Sequence, residues 1–424
     1  MAAAGAPSSY SPHSSNAPMS HGFSLIELMV ALLLGVLLIE GIAVLISQTH
    51  RVNSIQAAVA RLQENGRSGL QALVEDLRRA AHMPCGSRMR PLVYADALAA
   101  HIAGVPVAAN APAGWPADTP YPLSRSLFIH GHTCAGTTCT PAITAEQELP
   151  PVGLNVGERV IGTDVLTVRS LHGSGWAIDA TIPAQACDTH PALATLTLRA
   201  TPSNDAPATF TPGHLALLAN CSAGEIFKPQ VRDNALQPLR EQWGQPACFP
   251  ADSQTRVFDL DTQLQTSVYY LQLKSRAGNR GVAAPVLVRR TNGVSTILAE
   301  GVERLDFRYS LIDAAEAAHW LTAAEVDQAT DSNGVALTCK TAQAANATRP
   351  CDWSDINAVD ISMLVNSVDE LPPDPSAHAW AYHYAIDGEK PQSPARVMPV
   401  TDLPAGRMQR REFHSVVALR DMTP

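Results

Sequence analysis

The chain has 424 residues, with 30 Lys plus Arg against 39 Asp plus Glu, a formal net charge of −9. That balance argues against a nucleic-acid binder working through a broad basic face. Charged residues make up 16% of the chain and apolar residues 46%, which excludes a wholly disordered polypeptide. The length fits two or three folded units, and the 32 prolines favour many short strands and turns outside any helix.

Residues 1–22 contain no Lys, Arg, Asp or Glu and show no apolar periodicity, so they read as a disordered leader outside the fold. The sequence then turns to FSLIELMVALLLGVLLIEGIAVLI. Every residue from Leu28 to Ile39 is apolar or Gly, and Glu40 is the one charge from there to Ile46. At 1.5 Å rise per residue, the stretch Phe23–Ile46 spans roughly 35 Å, enough to cross a bilayer core of about 30 Å. Three readings compete. A cleaved secretory signal lacks its basic n-region here, and the nearest A-x-A, Ala58 to Ala60, lies too far beyond the apolar run. A generic anchor gains nothing from Glu27, since a carboxylate inside an apolar helix costs on the order of 2.5–3.5 kcal/mol near the bilayer centre. The third reading gives Glu27 a purpose. Four residues from a freed N-terminus, it could meet the terminal amine of a neighbouring helix. In low dielectric that pair would set the axial register between helices.

The run G-F-S-L-I-E-L at Gly22 to Leu28 resembles the prepilin cleavage motif of type IV pilins and type II secretion pseudopilins. The resemblance implies that a prepilin peptidase cuts between Gly22 and Phe23 and methylates the new Phe23 amine, and that Glu27 is the family's registering glutamate. The leader carries His21 where such leaders have a basic residue, so the motif rather than the charge supports a cytoplasmic N-terminus. Met19 offers a second start, with the leader MSHG. Glu40 lies far enough toward the distal end of the span to snorkel outward.

After Ile46 the pattern becomes amphipathic. Val52, Ile55, Val59, Leu62, Gly66, Gly69, Leu73 and Leu77 form a seam at steps of three and four, with most charges off it. Pro84 is a natural stop. The spacing predicts one helix from about Ser24 to His82, roughly 88 Å long. For residues 52–82 a core stripe is preferred to a partner-binding coiled coil.

Beyond Cys85 helix patterns nearly vanish. Strands are expected at 126–130, 164–170, 195–199, 215–220, 266–273, 286–291, 295–298, 302–309, 356–366 and 413–420, several with clear alternation. Asn292-Gly293 between two of them signals a two-residue hairpin. Alanine- and proline-rich stretches at 95–125, 140–155, 200–213, 311–350 and 370–405 read as loops or insertions, with room for a short helix within 313–329. No internal repeat is evident.

Five segments extend the resemblance. Gly162–Arg169, Gly213–Phe227, Leu298–Tyr309, Cys351–Val365 and the closing R-R-E-F-H-S-V-V-A-L-R look like parts of PilW-type minor pilins. Each alone is an ordinary strand sequence. Together, in order and behind the cleavage motif, they cover most of the chain.

The eight cysteines are Cys85, Cys134, Cys139, Cys187, Cys221, Cys248, Cys339 and Cys351. In an exported head they are disulfide candidates, with Cys134–Cys139 and Cys339–Cys351 closing the shortest loops. The other four pair among themselves in an unassigned order. H-G-H-T-C-A-G-T-T-C at His130–Cys139 has the residue types of a zinc cluster, but a C-x4-C pair in an oxidising compartment favours the disulfide. D-Q-A-T-D-S-N-G at Asp327–Gly334 has a calcium-loop flavour without the closing Glu, and reads as a turn. There is no nucleophile elbow, phosphate loop, H-E-x-x-H or dinucleotide fingerprint.

The expectation is therefore an α+β protein: a leader over 1–22, a pilin-type helix over 23–83 that spans the membrane at 25–46, and a large β-rich head over 84–424 with loop insertions, built as one or two subdomains. The resemblance implies a minor pilin of type IV pilus assembly in the inner membrane with a periplasmic head, without enzymatic activity, cofactor or metal. Its partners would be other minor pilins and the major pilin through their N-terminal helices, the prepilin peptidase, and inner-membrane lipid, with no nucleic acid. A minor pseudopilin of type II secretion shares the anchor and its physics. A pilin-anchored adhesin or periplasmic enzyme is the alternative from another class.

Overall fold

A computed structural model describes residues 24–80, 128–143, 147–179, 196–199, 210–214, 216–219, 224–227, 229–232, 235–238, 256–275, 283–340, 347–369, 371 and 408–419. The protein is α+β. Helix α1 runs from Leu25 to Arg79, and the described residues beyond it lie mostly in strands. The chain divides into two compact units, residues 1–56 and 57–424, so the boundary falls inside α1 and the helix's second half belongs to the head.

The head has two principal sheets that share a core. The first is six-stranded, ordered β13-β12-β11-β3-β1-β2, from β1 (Ile129–Ala135), β2 (Thr138–Thr140), β3 (Val165–Leu171), β11 (Leu264–Ser275), β12 (Ala283–Thr291) and β13 (Val294–Glu300). The second is four-stranded, ordered β15-β14-β18-β19, from β14 (Val302–Ile312), β15 (Ala318–Leu321), β18 (Ile356–Asn366) and β19 (Arg410–Ala418). A seven-stranded sheet of short strands is built from β4 (Trp176–Asp179), β5 (Leu196–Arg199), β6 (Ala216–Ala219), β7 (Gly224–Phe227), β8 (Pro229–Arg232), β9 (Ala235–Pro238) and β10 (Arg256–Asp259). A small hairpin pairs β16 (Thr338–Lys340) with β17 (Thr348–Pro350).

All neighbours in these sheets are antiparallel, as short connections allow. Asn292 and Gly293 make the β12–β13 turn with φ of 45° and 87°, which pairs Thr291 with Val294. Both central residues need φ above zero in such a turn, and Asn-Gly supplies that cheaply. The main core joins Leu62, Leu73 and Leu77 of α1 to Leu271 and Leu287 of the first sheet and to Leu305, Phe307, Ile361 and Met363 of the second. Val165, Val268, Tyr270, Val286 and Val288 form a smaller cluster of their own. β3 is therefore buried along its whole length, which explains its continuous run of inward residues.

The stretch 311–350, expected as a loop with room for a short helix, holds that helix at Ala323–Gln328 and also the end of β14, the strand β15 and the β16–β17 hairpin, which were not expected. Thr322 caps that helix in a reciprocal box with Glu325. The arms of four and three residues are too short for alternation to register.

Candidate functional site

α1 opens with a reciprocal cap. The Glu27 N–H donates to Ser24 Oγ at 3.2 Å, and the Ser24 N–H donates to Glu27 Oε2 at 3.4 Å. This box satisfies two backbone donors that a helix start leaves bare. The S-x-x-E spacing ahead of an apolar run is its sequence signature, which an account of Glu27 as a registering charge passes over. From Leu25 to Ile46 every large apolar side chain is more than half exposed. An apolar surface of that extent needs lipid or other apolar helices to cover it. Among the described residues, α1 is the helix long and apolar enough to cross a membrane. Gly22 and Phe23 lie outside the described residues, as do Cys85, Cys187, Cys221 and Cys248.

The second half of α1 is seated on both principal sheets. Its buried stripe is Ala58, Leu62, Gly66, Gly69, Leu73, Asp76 and Leu77. The expected seam holds from Leu62 onward, but Ala58 is buried in place of Val59, and Val52 is half exposed. The two glycines make the close approach possible. A Cβ on Gly66 would overlap the Phe413 ring of β19. One on Gly69 would lie 3.0 Å from Leu287, 3.1 Å from Ala299 and 3.6 Å from Met363.

Asp76 is a buried acid on this stripe. Tyr269 Oη donates to its Oδ2, and Arg289 Nη1 lies 3.5 Å from the same oxygen. Arg79 Nη1 is 4.0 Å from Oδ1. The Tyr269 phenol is held well above its ordinary pKa by burial first, and then by the Asp76 charge that it faces. Arg61 adds an exposed pair with Asp369 at 2.8 Å, a contact worth at most about 1 kcal/mol.

β19 is anchored at its start by a buried pair. Arg410 Nε donates to Glu303 Oε2 at 2.7 Å and Nη2 donates to Oε1 at 3.0 Å, while Asn366 Nδ2 donates to the same Oε1 at 2.7 Å. The fork geometry satisfies the carboxylate on both oxygens. Between β19 and the exposed flank of α1 runs an open groove of about 620 Å³, lined by Gln63, Arg67, Leu70, Gln71, Val74, Arg411 and Phe413.

The cysteines that are described form two bridges, Cys134–Cys139 across the β1–β2 hairpin and Cys339–Cys351 beside the β16–β17 hairpin. With both sulfurs of the first pair bonded, the thiolates of a His130–Cys139 zinc set are not available. His130 and His132 instead join a buried polar-aromatic cluster. His132 Nδ1 donates to the Pro141 carbonyl at 2.8 Å, so Nε2 is the bare acceptor that receives the Gln147 amide at 2.9 Å. Burial, and then the charges of Arg159 and Arg169, bring the His132 pKa down to about 4 against the pull of Pro141. His130 packs against Trp353 at a tilt of 42°, and Trp353 meets Tyr309 edge-on.

Asp164 accepts the N–H groups of Cys134 and Phe307, both at 3.0 Å, tying the two sheets together. Burial and the neighbouring Asp306 raise its pKa above the usual carboxylate range. Asp331 caps a turn, accepting from Asn333 and Val335 N–H at 2.9 and 2.8 Å. Among the described residues, His214, Asp259 and Asp261 form one compact group of metal-ligand type, and there His214 Nδ1 is hydrogen-bonded to Asp259 at 2.8 Å. These contacts hold strands and turns together and bring no nucleophile to a base.

Comparison with known families gives two matches. The family described as Type IV Pilus-assembly protein W matches residues 268–421, the span that contains β12 through β19 and the last two-thirds of β11. The prokaryotic N-terminal methylation motif matches residues 18–39, the span of the Gly22–Phe23 junction and Glu27. No curated protein and no solved structure matches the chain. The strands that seat α1 thus lie almost wholly within the first match, and the short-stranded seven-membered sheet lies between the two.

Proposed function

We propose that this PilW-type pilin, anchored in a membrane through the first half of α1, is a minor pilin that helps to start or cap a type IV pilus. The observation that carries this reading is one helix with two environments. Its first half is bare and apolar, suited to lipid and then to a bundle of like helices, and its second half belongs to a head of the PilW type. In this reading the N-terminus is cytoplasmic and the head periplasmic. A prepilin peptidase cuts between Gly22 and Phe23 and methylates the Phe23 amine. Glu27 then pairs with the terminal amine of an adjacent helix, which sets the register in the low dielectric of the bundle. The head offers a surface for the next component. The role is structural, without chemistry of its own. The size of the head favours few copies, since a repeated fibre subunit would have to accommodate that bulk at every step.

The test is the mass of the mature N-terminus in membrane and sheared-fibre fractions. An N-methylated chain that begins at Phe23, present in both, is the expected result. A chain that retains residues 1–22 would overturn the reading.

A further inference from the structure

We infer that the groove between α1 and β19 is a docking site for an extended, acid-bearing segment of another protein chain, which adds as a further strand to β19. Three observations converge there. β19 is the last strand of its sheet: it pairs with β18 on one side and, among the described residues, with nothing on the other. An uncapped edge presents a row of unused N–H and C=O groups, the template for strand addition.

The sheet also stops short of covering α1. Leu70 and Val74 are only partly buried, and with Phe413 they form an apolar floor beside the free edge. A strand placed there would lay every second side chain onto that floor, since side chains alternate across a strand.

Charge then selects the occupant. The charged side chains lining the groove are Arg67 and Arg411, both exposed. Neither has a carboxylate within ion-pair distance among the described residues, and the Arg411 guanidinium lies 5.9 Å from the Phe413 ring centroid. Two unpaired guanidiniums on an otherwise acidic protein favour a segment that carries carboxylates between its apolar residues. A groove open along a strand edge fits a peptide backbone, whereas ligand-sized molecules favour enclosed sites that bury most of their surface.

The site belongs to the head alone and does not depend on how the N-terminus is processed. Its test uses the full chain in its own envelope, with a photo-crosslinking residue in place of Gln71, exposed on the α1 wall of the groove, and in place of the exposed Val335 as a control. The expected adduct at Gln71 maps to an extended segment of a different chain with alternating acidic residues. It falls at least tenfold in the Arg67→Glu/Arg411→Glu double variant and returns when the mapped acids are changed to Lys. Among the described residues neither arginine is in an ion pair, so the double variant should accumulate normally and unfold at the unaltered temperature. An adduct to lipid, to a helix or to a second copy of this chain overturns the proposal. So does one insensitive to the charge reversal, one matched at Val335, or the absence of any adduct.

Discussion

Gly66 of α1 and Phe413 of β19 meet with no room for a carbon atom between them: a Cβ at position 66 would overlap the edge of the aromatic ring. The contact fixes how closely the helix can lie on the four-stranded sheet. Gly66→Ala gains about 1 kcal/mol of helix propensity but forces the ring aside, and overpacking typically costs about 1–3 kcal/mol. The expected net effect of Gly66→Val, which lacks the propensity gain of Ala, is a loss of about 2 kcal/mol or more in denaturant unfolding of the full chain. Adding Phe413→Leu should recover part of that loss, whereas two simply additive losses would show that the positions are not coupled.

Asp76 is expected to matter more than an acid on a helix surface. Asp76→Ala removes the acceptor of the buried Tyr269 hydroxyl and the charge facing Arg289, a loss of about 1–3 kcal/mol. Tyr269→Phe in that background should cost little more, because its partner is already gone. An additional loss as large as in the wild type would place the Tyr269 contribution elsewhere.

The acid stability of the head should carry the signature of His132. Its folded pKa of about 4 lies below the ordinary 6.5, so the folded state binds fewer protons than the unfolded state in that interval. The neutral ring's contribution is complete above about pH 6.5 and is lost as the pH falls toward 4. Between pH 7 and 5 the wild type should lose about 2 kcal/mol that His132→Gln does not lose. Parallel pH profiles of the two proteins would refute this assignment.

One substitution can separate the observed cap at Glu27 from the registering role proposed for it. Gln at position 27 keeps an oxygen for the Ser24 N–H and so preserves the cap, but it has no charge for a neighbouring amine. Glu27→Gln should therefore be processed normally and enter fibres poorly, as should Glu27→Ala, while Gly22→Ala should remain uncut. Normal incorporation of Glu27→Gln would reduce the glutamate to a capping residue.

The strands at 302–309 and 356–366 were legible because alternation over eight or more residues leaves little doubt about period. β10, β15 and the arms of the β16–β17 hairpin were not, since three or four residues cannot establish one. The stripe of α1 was readable from Leu62 onward. Whether its glycines mark close packing or a flexible point was not, and neither was what they pack against, because Phe413 is hundreds of residues away. Asp76 was hidden for the same reason: it looks like one more charge on a helix until Tyr269 and Arg289 arrive from 193 and 213 residues downstream. The groove combines a helix flank with the last strand, and no local pattern marks it. The Ser24–Glu27 cap was present in four consecutive letters, masked by the prominence of the acid itself.

Because the unit boundary lies between Gln56 and Ala57, a soluble version of the head for solution work must retain the helix from Ala57 onward. Trimming back to Cys85 would strip Leu62, Leu73 and Leu77 from the interior and leave Leu287, Met363 and Tyr269 facing water. Such a fragment should aggregate, however carefully its remaining surface is chosen.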